Sequence, residues 1–168
     1  MLQIGKRQDS TWHNLDSFTG EMPPEGVACV AFKMRQATGL DESIAETNAR
    51  ANIARMAEGA VDAVDYGLDA VEWAQAIVDG AAPLLAGVGY QVYTVELAML
   101  CASEMRGVED ENGEPAEWTK RNVALVLQSR RPSAEAFQGL QRLGTTYADT
   151  FASLALKTVR GARAEGKP

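Results

Sequence analysis

Between Gln91 and Met105 the chain has almost no polar face. Val92, Val95, Leu97, Met99, Leu100 and Cys101 surround the axis of any helix drawn through this stretch. A helix that is apolar nearly all round is stable only when other elements cover it. The segment is therefore expected to be a central core helix, with the rest of the chain as its cover. A chain of 168 residues suffices for one domain, or one domain with an extension. Its 46% apolar and 23% charged residues are the composition of an ordinary globular protein.

The cover can be read in order. Residues 1–26 are polar and end in Met22-Pro23-Pro24-Glu25-Gly26, which no helix tolerates. Val27 to Arg35 holds β-branched and aromatic residues and reads as a strand. A lone strand leaves its backbone groups unpaired, and the natural partner is the stretch Ser10 to Leu15. A small antiparallel hairpin or sheet is expected at the N-terminus. After Thr38 the period becomes helical. Thr38 is placed to cap a helix with Asp41 at its third position, and Leu40, Ile44, Thr47, Ala51 and Ala54 fall on one face. Gly59 interrupts that pattern. A second helical pattern runs from Val61 to Val78 with Val64, Leu68, Val71 and Val78 on one side, and Gly80 ends it. Pro83 to Gly89 reads as a loose apolar connection. Beyond the core helix, Gly107 to Glu117 is a charged turn. Thr119 caps a short helix with Val123, Val126 and Leu127 facing in, and Pro132-Ser133 separates it from the last helix. In that last helix Phe137, Leu140, Gly144, Tyr147, Phe151, Leu154 and Thr158 recur at alternating spacings of three and four. Such a stripe either packs on the core helix or stays partly open to receive a partner helix. The expectation is a mainly α fold of about five helices with a small N-terminal β element. Its divisions are a β element over 1–38, a helical domain over 39–158 and a flexible tail over 159–168.

The residues that carry chemistry form no site. His13 is the single histidine, so histidine-based metal clusters are excluded, and no motif joins it to Cys29 or Cys101. The two cysteines are far apart and read as reduced, buried hydrophobes of an intracellular protein. Gly87-Val88-Gly89 has the offset of a dinucleotide turn but no third glycine, since Val92 stands there. Asp110, Asn112 and Gly113 occupy places of a calcium loop, yet Val108 and Thr119 stand where carboxylates are needed. Asp62, Asp65 and Asp69 share helical spacing and read as a solvated face. Trp12, Trp73 and Trp118 read as structural, and Lys120-Arg121 and Arg130-Arg131 are too sparse for a nucleic-acid stripe. No catalytic, cofactor or metal site is expected, and the chain is not expected to be an enzyme.

Charge and hydropathy narrow the partners. Residues 1–118 carry seven Lys/Arg against twenty Asp/Glu, net −13; residues 119–168 carry nine against three, net +6; together these make −7. An acidic chain repels phosphate backbones, so nucleic acid is not an expected partner. The asymmetry implies either that the two parts attract each other or that the basic part meets an acidic partner. The longest apolar run, Ala81 to Tyr90, contains Pro83, Gly87 and Gly89 and is too short to span a bilayer. With no apolar signal core after Met1, a cytoplasmic location is expected.

Three segments carry a resemblance. Val95-Glu96-Leu97-Ala98 leads to Arg106-Gly107-Val108-Glu109-Asp110-Glu111-Asn112-Gly113-Glu114-Pro115, and then to Thr119-Lys120-Arg121-Asn122-Val123. This succession resembles tail assembly chaperones and related small proteins of long-tailed phages and prophages. In these a helix ends near a Gly-Val, an acidic Asp-Gly-Glu-Pro turn follows, and a Thr-capped helix comes next. Met105-Arg106 stands where a Trp often precedes the Gly-Val. Val30-Ala31-Phe32-Lys33-Met34-Arg35, Thr38 and Glu42, with the Ala-rich stretch after them, are similar to the opening strand and first helix of that family. The resemblance implies a non-enzymatic role in the host cytoplasm: binding the long tape-measure protein, keeping it soluble, and recruiting tail-tube subunits. It also implies that Phe137, Leu140, Tyr147, Phe151 and Leu154 line or support a protein-binding groove. Two other readings stay open, a structural phage component such as a head–tail connector or tail-completion protein, and an enzyme with an unrecognised carboxylate site.

Overall fold

The computed structural model describes residues 9–69, 71, 73, 82–131 and 145–166. Strand β1 (Thr11–Asn14) pairs antiparallel with β2 (Ala31–Met34), setting Trp12 opposite Lys33 and His13 opposite Phe32. This is the pairing expected from the sequence. A third strand, β3 (Ala102–Arg106), lies antiparallel on the other side of β2, giving the order β1-β2-β3. Its residues were expected to be the last turn of the core helix. That helix ends at Cys101 because its terminal carbonyls are taken by the end of β2. Arg35 N–H donates to the Cys101 carbonyl at 3.0 Å and the Arg35 guanidinium to the Leu100 carbonyl at 3.2 Å. From Ala102 onward the side chains alternate: Glu104 pairs with Lys33 at 2.7 Å, and Met105 stands opposite Phe32. The sheet is thus closed by a strand from the middle of the chain.

Helix α1 (Gly39–Ala57) starts as the sequence implies. Thr38 accepts from Asp41 N–H and the Asp41 carboxylate accepts from Thr38, a reciprocal cap. Its buried face is not the expected one. Asp41, Ala45, Ala49 and Met56 point inward, whereas Leu40 is 70% exposed and Ile44, Thr47, Ala51 and Ala54 also face out. The helix is turned by one residue, about 100°, from the reading based on apolar spacing. The cause is Asp41, whose carboxylate is held by the Arg35 guanidinium at 2.7 and 2.9 Å. That ion pair, with side chains 11% and 12% exposed, fixes which face turns in. Gly59, in the left-handed region at φ 73°, follows the end of α1.

The second helical pattern opens as a tighter turn, and Val71 and Trp73 further along it are helical. A 3-10 turn over Ala63–Tyr66 is capped by Asp62 and stopped by Gly67 at φ 67°. Ala63 and Tyr66 are buried, Val64 and Leu68 are half-buried, and Val71 is exposed. Val78 and Gly80 lie outside the described residues. The connection expected at Pro83 to Gly89 is instead the first half of α2 (Ala82–Cys101). Pro83 falls in its first turn, where a missing N–H leaves no intrahelical bond unmade. Helix α3 (Lys120–Gln128) is capped by Thr119 and buries Val123, Ala124, Val126 and Leu127, as its spacing implied.

Helix α4 (Tyr147–Ala155) begins at its own cap, Thr146 with Asp149, and α5 (Lys157–Ala164) follows after Leu156. One long last helix was expected; Thr146 is instead extended and paired with Arg130, so α4 has its start there. Pro132, Ser133, Phe137, Leu140 and Gly144 lie outside the described residues. The segment read as a tail, 159–168, is helical to Ala164. Gln36 bridges the α4–α5 junction, donating to the Leu154 carbonyl at 2.9 Å and accepting from the Thr158 hydroxyl at 3.2 Å. Helix α2 lies at the centre, with α1, α3, α4 and the 3-10 turn against it. Phe32 ties the sheet to this body, edge-on to Trp118 at 5.1 Å and tilted against Phe151 at 5.9 Å. Among the described residues no helix is long and apolar enough to cross a membrane.

Two outcomes are expected. Gly107 sits at φ 72° just after β3, and a Cβ there would lie 2.0 Å from the Cys29 carbonyl oxygen. Gly107→Ala forces both a left-handed alanine and a backbone shift, and should lower stability by about 3 kcal/mol, read as a urea midpoint. The second outcome concerns Asp41. Arg35 holds the Asp41 carboxyl well below the usual carboxylate range; burial opposes this, and the Thr38 N–H and hydroxyl reinforce it. Its folded pKa lies below the unfolded value, so its contribution is complete at neutral pH and lost as pH falls through the folded pKa. Asp41→Asn should cost about 3 kcal/mol at neutral pH. The gap to the parent should narrow progressively as the pH drops below about 4, measured by urea titrations across that range.

Candidate functional site

The residues singled out in the last helix turn inward. Phe151 is fully buried against Phe32, and Leu154 packs over Gly20. The Tyr147 hydroxyl donates to Asp16 Oδ1 at 2.6 Å, and burial followed by that carboxylate pushes the phenol pKa up. These three side chains are core, and Phe137 and Leu140 lie outside the described residues. The single histidine bonds the Thr11 hydroxyl at 3.1 Å, and burial lowers its pKa. Cys29 is half-buried, Cys101 is buried, and neither forms a disulfide. Asp62, Asp65 and Asp69 are exposed. Trp73 is buried, Trp118 meets Phe32, and Trp12 carries the Arg106 guanidinium 3.8 Å above its ring. Among the described residues no group of three or more His, Cys, Asp or Glu is placed to hold a metal ion.

The densest polar cluster is one the sequence did not disclose. Glu96 lies on α2, 6% exposed, and its Oε1 accepts three hydrogen bonds. They come from the Tyr66 hydroxyl at 2.5 Å, Lys120 Nζ at 2.9 Å and Asn52 Nδ2 at 3.1 Å. Lys120 also reaches the Tyr66 hydroxyl at 3.2 Å and stands over its ring. Burial, then Glu96, raises the Tyr66 pKa, so the phenol stays protonated and donates. The cluster joins α1, the 3-10 turn, α2 and α3 at one atom. A carboxylate so fully engaged, beside an ammonium and a protonated phenol, is arranged to hold elements together.

Concavities lie open among the described residues, two of them bordered by α1 or α3. One lies between α1 and α2, about 390 Å³, floored by Ala49, Ile53, Gly89, Tyr90 and Tyr93 and edged by Glu46 and Arg50. Tyr90 donates to Asp149 at 2.8 Å, and burial with Glu42 and Glu46 pushes the Tyr93 pKa up to about 12. The larger, about 500 Å³, lies between α3 and the turn after β3. Val108, Ala116, Leu125 and Val126 give it an apolar floor, and Glu109, Asp110, Glu111 and Arg121 stand around it. The turn is tightly bonded. Asp110 N–H donates to the Glu114 carbonyl at 2.8 Å, and Ala116 N–H to the Val108 carbonyl at 3.0 Å. Asp110 Oδ1 accepts from the N–H groups of Asn112 and Glu114, which lowers the Asp110 pKa. The segment considered as a calcium loop thus uses its central carboxylate within the turn.

No protein-family model, curated protein or solved structure matches this chain.

Removing one member of the Glu96 cluster strands the others. Glu96→Leu should cost about 3 kcal/mol, and adding Lys120→Met should restore part of it, because the half-exposed Lys120 ammonium is then no longer left beside an apolar site without its carboxylate. Urea midpoints of the two singles and the double variant check this.

Proposed function

We propose that this protein works without catalysis, by binding another protein, in the manner of the tail assembly chaperones its sequence resembles. Its partners on this reading are a tape-measure protein and tail-tube subunits, met in the host cytoplasm. The observation that carries the reading is the groove between α3 and the 108–117 turn. It is concave and apolar-floored, with an exposed leucine at its base and charged groups at its edge. A helix-rich chain with apolar stripes is the kind of ligand that such a groove shelters. The buried ionisable groups support the same reading. Glu96 and Asp41 are each occupied by hydrogen bonds that join structural elements, which leaves them to packing and not to acid–base work.

The test is affinity purification of the tagged chain from cells expressing its native gene cluster, with mass spectrometry of what accompanies it and of finished particles. Recovery of a very long helical protein is expected, with this chain missing from the particles. Incorporation into particles makes it a structural component instead. Recovery of neither overturns the phage reading.

A further inference from the structure

The outer face of α3 is polar but for one residue. Arg121, Gln128 and Ser129 point away from the core, Asn122 lies at its edge, and among them Leu125 is 42% exposed. A single exposed leucine is ordinary on a protein surface. Leu125 differs in its setting, because it lies at the base of the concavity with Val108, Ala116 and Val126 beside it. An apolar side chain from outside would be covered there on several sides.

The rim is built before anything binds. The turn is closed by backbone bonds at both ends, Glu109 bridges Pro115, and Gly113 takes the left-handed conformation at its tip. Little ordering entropy is left to be lost on binding. Its charge has one sense. Glu109, Asp110 and Glu111 face the groove against Arg121, three carboxylates and one guanidinium, net −2. Glu114 and Glu117 stand on the same turn, and the whole chain carries −7. The asymmetry of the chain does not neutralise this rim. Lys120 is paired with Glu96 and Arg163 with Glu42, and among the described residues no ion pair reaches the turn. Field and floor together select a ligand that is cationic and carries an apolar anchor.

We propose that the groove takes a cationic amphipathic segment of another protein, its Lys or Arg side chains meeting Glu109, Asp110 and Glu111 and an aliphatic or aromatic side chain covering Leu125. This deepens the protein-binding reading and rests on it. The rim carboxylates steer the segment and the leucine retains it.

The probe is a short synthetic Leu-Lys-Ala amphipathic helix, with its Leu-Glu-Ala counterpart as control, titrated against the full chain by fluorescence anisotropy. The cationic peptide should bind and the anionic one should not. Leu125→Asp, and separately Glu109→Gln with Glu111→Gln, should each weaken binding by about tenfold. All three positions are exposed, so circular dichroism and urea midpoints should match the parent. Equal binding to parent and variants overturns the proposal, as does binding that salt abolishes while Leu125→Asp leaves it unchanged. If the chain instead associates with itself, and Leu125→Asp abolishes that, the occupant is a second copy and the proposal falls. If the purification recovers a tape-measure protein that both groove variants still retain, the proposal fails while the broader reading stands. If no partner is recovered but the peptide binds as expected, the groove stands and the phage reading fails.

Discussion

A carboxylate stands inside the most apolar helix of the chain, and three other elements have to come to it. From Gln91 to Ala98 helix α2 is largely covered, so its buried polar groups there cannot turn to water. Each is met from within. Gln91 donates to the Tyr66 and Ala124 carbonyls, Thr94 returns to its own helix, and Glu96 receives Tyr66, Lys120 and Asn52. Apolar burial is non-directional and leaves α1, the 3-10 turn and α3 several ways to lie on α2. Hydrogen bonds to one atom are directional and leave few. Glu96 thus converts a hydrophobic cylinder into an assembly with a fixed register. The Arg35–Asp41 pair does the same at the other end of α1, where it decides which face turns inward.

The charge asymmetry of the sequence has the same origin. An acidic first part and a basic last part suggested attraction within the chain or toward a partner. Among the described residues the structure joins them internally at Lys120 to Glu96 and at Arg163 to Glu42. They differ in weight. Glu96 is buried and its loss strands buried donors, whereas Arg163 is largely exposed and its pair is screened by solvent. Part of the acidic excess left over lies in the turn at 109–117, and there the backbone is already occupied with itself.

Local signals in the sequence were legible where a single physical rule governs them. The Thr38–Asp41 and Thr119 caps, the β1–β2 pairing, the Gly59 stop and the inner face of α3 each depend on residues close together or on one period. The misreadings share another cause. Leu40 and Ile44 looked like the inner face of α1, but a residue 59 positions beyond Asp41, Leu100, accepts from the same Arg35 that holds the Asp41 carboxylate. Ala102 to Met105 looked helical as the continuation of the apolar stretch that ends at Ala102; pairing with β2 makes it a strand. Pro83 suggested a loop, although a proline in the first turn leaves a helix intact. The Glu96 cluster was invisible for the plainest reason: Asn52, Tyr66, Glu96 and Lys120 share no spacing, and three of the four are residue types usually found on surfaces.

The aromatic stripe of the last helix bears on how such a chain divides its apolar residues between folding and the binding proposed for it. Tyr147, Phe151 and Leu154 have the spacing of a recognition surface, yet they close the body against Phe32, Gly20 and Asp16. A small domain needs its largest side chains for the core, so what it offers to others is drawn from the remainder. On α3 that remainder is one leucine on a polar face, set in a hollow. A lone exposed leucine contributes little by itself, since the area it can bury is small. Bounded by a rigid acidic turn, it gains what area alone does not supply: a fixed position for the anchor and a sign of charge that favours one class of approach. The discrimination of such a site therefore rests on the turn, whose geometry Asp110 and Gly113 hold, more than on the size of the apolar floor.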